Sequence, residues 1–400
     1  MAEEEDLSSR TRAADWAPGQ VSGGRSVQRL AEYERLREEC PVAWAEEYGG
    51  FWTLTRYADV REAARQPRTY ASGAPIIQWP DFDEQIPISL NPPEHATYRR
   101  LLNRYVSKAA MARLEPTLRG FAVEHLAPLL EAGEGDIVTG LCQPFPARAL
   151  AALMNLPDTA YSELVEQFRG FERMAWDPEK VNVEIGRIFE EHVERVVEER
   201  RARPLDPETD MLSGVMAAEI DGQPLSDDKV IQIGVQMFVA GHATTADALA
   251  TMMYRVATNP DIQMTLRRSP EKIPTAVEEF LRIETPLQSI GRTATQDVEL
   301  HGRTIQAGER VALSYAAADL DPEVFEHPSA CIIDRSPNHH LAFGAGIHLC
   351  LGAPLARLEM RLALEELLAR TSEIRLAGAG TETTGNMRGF TSLPLRVSTR

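Results

Sequence analysis

Cysteine is scarce in this chain: four residues in 400, at positions 40, 142, 331 and 350. They are too few and too scattered for the disulfide framework of a small secreted domain, and suit a reducing compartment where thiols stay free or bind a metal. Positive charge is also in deficit. Lys plus Arg number 42 against 60 Asp plus Glu, a formal net charge of −18, which repels phosphate backbones and acidic membrane surfaces and argues against a nucleic-acid partner. No apolar run reaches the roughly 20 residues of a membrane anchor, and the opening MAEEEDLSSRTRAADW lacks the basic and then apolar pattern of a secretory signal. The expectation is a soluble, cytoplasmic protein with no membrane association. A fixed-period repeat, a low-complexity tract, a Gly/Ser linker and a Rossmann fingerprint are missing as well.

What is present is ordinary globular composition, 43% hydrophobic and 26% charged, enough apolar surface for a sizeable core. Helical periodicity dominates from about Ser107 to Val256. Strand-like pieces are few: FWTLTR near Phe51, DVELHGRTIQAGERVAL near Val298, and a last stretch ending SLPLRV. The pattern predicts a mainly α fold with a small β region, as one domain over residues 21–400 behind a polar tail at 1–20. One long helix is expected from Ser226, whose hydroxyl is placed to cap it, to about Asn259 before Pro260. Its apolar middle, GVQMFVAGHATTADALATMM, predicts that it crosses the core.

The sharpest local signal is LAFGAGIHLCLGAPLARLE. Glycines permit a tight loop before Cys350, and a helix follows it. A lone cysteine in an apolar stretch is more often structural. At a helix N-terminus, however, backbone N–H groups and the helix dipole stabilise a thiolate, the species that ligates iron and supplies electron density for splitting an O–O bond.

This loop, FGAGIHLCLGAPLAR, resembles the haem-binding loop of the cytochrome P450 family, specifically its soluble bacterial members. The resemblance runs from the lid region through the long helix to the last turn. It implies a triangular-prism haem-thiolate fold, haem b as cofactor, Cys350 as metal ligand, and Phe343 and Gly344 in the cofactor loop. In IPTAVEEFLRIETP, Glu279 and Arg282 match the family's Glu-x-x-Arg pair, with Arg335 as third member of a structural network. His95 and Arg99 in NPPEHATYRR, Arg292 in SIGRTA and His348 in IHLC match its propionate ligands. A zinc site at His339, His340, His348 and Cys350 is a competing reading, but the spacing is poor for one.

In the long helix, AGHATT resembles the family's oxygen-activation groove, with small Ala240 and Gly241 and the hydroxyl of Thr244. The family's acid immediately before the threonine is replaced by Ala243. Protons are therefore expected to arrive through water and another group, such as the substrate's own hydroxyl; His242 is the weaker relay candidate. Expected substrate contacts are Gln236 and Val239 on the same helix, Gln288 and Ile290 after the Glu-x-x-Arg helix, Phe390 near the end, and Ile77, Trp79 and Phe82 in the lid. An apolar pocket with a few amides fits a medium-sized apolar or aromatic molecule.

The implied activity is monooxygenation, hydroxylation by default, with dealkylation, epoxidation or aryl coupling using the same oxidant, in a setting such as secondary metabolism. A haem-thiolate sensor or carrier without turnover is the other class, encouraged by Ala243. Dioxygen and a small molecule are the expected reactants. Electrons are expected from NAD(P)H through a separate ferredoxin reductase and ferredoxin, docking near Arg100, Arg104 and Lys108. Asp319 and Leu320 stand where family members often show Asn-Arg, and Cys331 where an aromatic is usual.

Overall fold

The computed structural model describes residues 13–17, 26–79, 84–156, 162–163, 165–166, 178–383 and 385–400. Its longest element is the 32-residue helix Asp227–Thr258, about 48 Å at 1.5 Å per residue. Asp227 and Asp228 place negative charge at the positive end of the dipole. Ser226 is the N-cap by backbone geometry, but its hydroxyl makes no capping bond, a correction to the expected cap; its carbonyl accepts Val230 N–H at 3.1 Å. The helix ends where Pro260 forces Asn259 out of the α region, at φ −131°, ψ 93°. The Asn259 side chain then caps the next helix, Pro260–Arg268, by accepting Ile262 N–H at 3.1 Å.

This helix serves two cores. Its first half, Val230 to Phe238, packs with Tyr98, Leu102, Phe189 and Val193. Its second half, Ala248 to Ala257, packs with helices Lys108–Ala132, Pro144–Leu153 and Ala353–Arg370. Residues 240–244 belong to neither cluster.

A five-stranded sheet is built from β1 (Val42–Ala45), β2 (Phe51–Leu54), β3 (Tyr70–Ala71), β4 (Ser289–Ala294) and β5 (Arg310–Ser314), in the order β1-β2-β5-β4-β3. Only the β2/β5 pair is parallel. A smaller sheet joins Thr371–Leu376, Pro394–Thr399 and Glu134–Asp136. All three strand-like sequence pieces form strands. Part of the expected tail is docked rather than free: Asp15 exchanges 2.8 Å bonds with the Trp44 backbone, and the Trp16 ring meets Phe51 edge-on at 6.4 Å. Residues 13–17 are thereby tied to β1.

The helix Ile273–Glu284 carries the Glu279 and Arg282 members of the expected ionic network at zero exposure. Arg282 donates to both Glu279 oxygens at 2.8 Å, and Arg335 reaches the same carboxylate at 3.0 Å. Ile332 N–H and Asn338 Nδ2 also donate to it, at 2.8 and 3.2 Å. The remaining Arg282 donors go to the carbonyls of Asp319, Pro328 and Ala330. Both Glu279 oxygens and every Arg282 nitrogen are used, the condition under which an ion pair survives without water.

Asp319 extends this network to the cysteine loop: its carboxyl accepts Leu341 N–H at 2.5 Å and the Thr285 hydroxyl at 3.1 Å. Burial pushes it up from 3.8 to about 6, against the pull of His340, the Leu341 amide, Thr285 and Arg282. A carboxyl raised in the folded state favours folding at low pH, and that contribution is lost as pH climbs from the unfolded value through about 6. Asp319→Asn is expected to gain stability relative to wild type over that window, by at most about 3 kcal/mol. Denaturant midpoints of the two proteins between about pH 4 and 7 check this; a difference that does not change with pH refutes it.

Candidate active site: a cysteine loop beside a cation-rimmed cleft

The cysteine loop turns on two glycines at φ +72°, Gly344 and Gly346. A Cβ at Gly346 would fall 2.3 Å from the Ala64 carbonyl oxygen, so no other residue fits there. Cys350 N–H donates to Phe343 O at 2.8 Å and closes the loop, while the Arg357 guanidinium lies 4.3 Å from the Phe343 ring centre. Cys350 sits just ahead of helix Ala353–Arg370. Burial pushes its thiol up; the Gly352 and Ala353 amides and the charges of Arg99 and Arg357 pull the other way. The residue retains accessible surface although it lies deep in the fold. The surface it shows is the wall of an internal cleft.

Arg99 acts on Cys350 through space, which ties the sulfur to a cluster of cationic side chains. His95 and Arg99 come from helix Glu94–Asn103, Arg292 from β4, and His348 from the cysteine loop. The His95 and His348 rings are 4.2 Å apart. Burial and the two arginines lower His95 to about 4; burial, Arg292, His95 and Arg99 lower His348 to about 3. Both imidazoles are neutral at pH 7, leaving two guanidinium charges. Among the described residues His95 Nε2 and Arg292 Nη2 are buried with no partner, and Arg99 has no hydrogen bond or ion pair. Such groups are expensive to leave unmatched. Sequence reasoning missed Ser72, whose hydroxyl lies 2.8 Å from His348 Nε2; nothing in YASGAP marks it.

On the long helix, Ala240 is exposed and Gly241, Ala243 and Thr244 keep part of their surface, in the middle of an element buried on both sides. These residues face the interior cleft. Helix Ala353–Arg370, which follows Cys350, packs against the same long helix. The Thr244 hydroxyl donates to Ala240 O at 2.9 Å. Gly241 also packs closely on helix Pro144–Leu153, where a Cβ would come within 2.7 Å of Leu150. His242 turns the same way, Nε2 to Gln143 O at 2.9 Å, fully buried and lowered by burial to about 4.

A family profile described as Cytochrome P450 matches residues 147–273 and 271–374. The chain is 33% identical to a steroid C26-monooxygenase of Mycolicibacterium smegmatis, covering 88% of this chain and 86% of the relative. It belongs to the cytochrome P450 family. It is 30% identical to the cyclomarin C epoxidase CymV of Salinispora arenicola, over 90% of this chain and 92% of that one. A Mycobacterium marinum P450, CYP268A2, solved in complex with pseudoionone, superposes with a TM-score of 0.88 at 28% identity, over 96% and 98% of the two chains. This P450 is an oxidoreductase of the monooxygenase class, which works with haem held by a thiolate, an organic substrate, dioxygen and redox partners. The fold expectation, mainly α with a small β region, holds.

The residues present fit that cofactor. The Arg99 and Arg292 guanidinium groups and the unmatched His95 Nε2 beside the cysteine fit the two carboxylates of a haem. Zinc has no comparable place: among the described residues no three His, Cys, Asp or Glu side chains group to hold a metal ion. His340 is instead 3.1 Å from Glu278.

The expected substrate contacts divide. Val239 is half-buried and Gln236 is buried with its amide unpartnered among the described residues, both on the cleft-bearing helix. Gln288 is committed elsewhere: its amide donates to Glu284 O and Thr285 O, and accepts the Tyr33 hydroxyl at 3.3 Å. Ile77 packs with Ala45, Phe51 and Ala312 under the sheet, Ile290 in the core behind β4, and Phe390 against Tyr254 with ring centres 5.1 Å apart. Local hydrogen bonds and core packing hold these side chains in place. Trp79 packs with Ile86, Leu90 and Tyr98, and Phe82 lies outside the described residues. Arg104, expected in a docking patch, gives its guanidinium to Glu208, Tyr105 and Pro207 at 3.1, 2.6 and 3.2 Å; Arg100 and Lys108 are exposed. No described helix is long and apolar enough to cross a membrane.

Removing one guanidinium should loosen the cofactor without moving the sulfur. Arg292→Gln is expected to lose haem to an acceptor apoprotein about tenfold faster than wild type, a charge-assisted hydrogen bond being worth about 1.5–3 kcal/mol. An unchanged transfer rate would remove Arg292 from the cofactor site.

Proposed function

We propose that this P450 uses haem b, ligated by Cys350 and held through its propionates by His95, Arg99, Arg292 and His348, to hydroxylate a medium-sized apolar or aromatic molecule. The observation that carries the reading is a deeply placed cysteine that receives two backbone N–H groups, faces a cleft, and stands beside unmatched cationic donors. When bound, haem supplies the activation of dioxygen. The chain's own residues then have separable tasks. Gly352 and Ala353 hold the sulfur's charge; Phe343 and Gly344 shape the loop; Glu279, Arg282 and Arg335 fix its approach. Gln236 and Val239 orient the substrate, which the apolar ligands of related proteins support: one has testosterone bound and another pseudoionone.

Residues 21–400 act as one catalytic unit in the cytoplasm, reduced by a ferredoxin and its reductase from NAD(P)H, with Arg100 and Lys108 as docking contacts. Ala243 means that protons reach the reacting oxygen by a route other than the family's acid beside Thr244. Two measurements test these claims. Reduced wild-type protein under carbon monoxide should show the red-shifted Soret band of a sulfur-ligated iron, and folded Cys350→His should lack it; a normal band in that variant refutes Cys350 as ligand. Ala243→Glu should change the product formed per electron pair consumed. If coupling and rate both stay at the wild-type level, the route was never altered.

A further inference from the structure

The long helix lacks an acid at position 243 but carries one a single turn later. We propose that Asp247 holds and passes the proton that this P450 cannot take from position 243, an inference that rests on the monooxygenase reading above. Ala243 and Asp247 are four residues apart and Thr244 and Asp247 three, spacings that put all of them on one face, with about 4.5 Å of axial rise between Thr244 and Asp247.

Burial along that face places the carboxyl at a boundary. Residues 240, 241, 243 and 244 keep surface inside the fold, whereas 245–253 are buried throughout and Asp247 is 8% exposed. The acid thus stands where the cleft closes into core. Room for it is made by a glycine: a Cβ at Gly389 would fall 1.7 Å from Asp247 Oδ1, so this segment passes the helix only because it has no side chain there. On another side lies Cys142, fully buried, whose thiol is pushed up chiefly by burial. The Thr251 hydroxyl donates to the Asp247 carbonyl at 2.9 Å and leaves the carboxyl to its own contacts.

The competing groups are worse placed. His242 points to Gln143, off the cleft-bearing face. Glu359, on the helix after the cysteine, is completely buried with neither oxygen partnered among the described residues, and burial pushes it well up; it serves as the control. The balance is simple. One turnover takes substrate, dioxygen, two electrons from the redox partner and two protons, and gives hydroxylated product and water. Asp247 gives up one of those protons towards Thr244 and regains one from solvent, so it ends each cycle unchanged.

Asp247→Asn keeps the size and removes the acid. Infrared spectra of substrate-free wild type and variant in light and heavy water should differ by the carbonyl band of a protonated carboxyl that shifts on deuteration. Product per electron pair should fall about tenfold in the variant, with the electrons appearing as hydrogen peroxide. Its carbon-monoxide Soret band should stay that of wild type. Restoring an acid one turn earlier, in the double variant Ala243→Glu with Asp247→Asn, should recover coupling. Should Asp247→Asn fail to retain haem, Asp247→Glu replaces it, and must show the band and couple within about twofold of wild type. Wild-type coupling in Asp247→Asn overturns the proposal, as does the same loss in Glu359→Gln. A wild type with no sulfur-ligated band and no product defeats the monooxygenase reading itself, a result distinct from either.

Discussion

An anionic sulfur deep inside a protein is the constraint on which the rest depends. Burial alone drives Cys350 towards the neutral thiol, and desolvation of an unpaired charge is among the larger penalties a fold can carry. The chain offsets it locally, with two amide N–H groups at a helix start and two arginine charges. Those amides reach the sulfur only if the loop from Phe343 to Cys350 keeps one shape, hence the left-handed glycines and the close approach of Gly346 to Ala64. Metal coordination completes what these contacts begin, since a ligating thiol is deprotonated outright.

The ionic knot of Glu279, Arg282 and Arg335 follows from the same demand. A buried ion pair is weak evidence for stability, because the desolvation penalty consumes most of the attraction. Its geometry suggests registry instead. One carboxylate gathers donors from residues 282, 332, 335 and 338, and one guanidinium gathers carbonyls from 319, 328 and 330. Chain with no regular structure of its own is thereby pinned to a helix, and Asp319 passes the constraint to Leu341, where the cysteine loop begins. An asparagine offers a single carbonyl oxygen there; the acid accepts from Leu341 and Thr285 on separate oxygens, at the expense of a carboxyl that resists ionisation.

What was legible in the sequence was what is contiguous. The loop around Cys350, the Glu279 and Arg282 spacing, the helix face of His95 and Arg99, and the long helix ending at Pro260 each lie within one short segment, so local rules apply. The Ser289–Ala294 strand was harder, since SIGRTA has no alternating apolar pattern and owes its place to neighbours on both sides. Side chains whose partners are distant in sequence were read least well. Gln288 answers Tyr33 across 255 residues, Phe390 packs on Tyr254, and Ser72 meets His348 across 276. A glutamine or phenylalanine looks the same in sequence whether it faces a ligand or a neighbouring helix.

The long helix shows how one element satisfies opposed demands within a single turn. Towards Leu150 it needs Gly241, because a methyl group would collide there; at 240 and 243 it carries alanines that keep surface within the fold. Residues 240–244 thus lie between two hydrophobic clusters and belong to neither. Polar groups placed at such a point are kept by local bonds, as Thr244 is by the carbonyl of Ala240, or by room cleared from a neighbouring strand, as Asp247 is by Gly389. An acid shifted by one turn stays on the same face but exchanges an accessible position for a buried one. The chain gives up solvent exposure of that carboxyl while keeping it on the stripe that leads to the reacting centre.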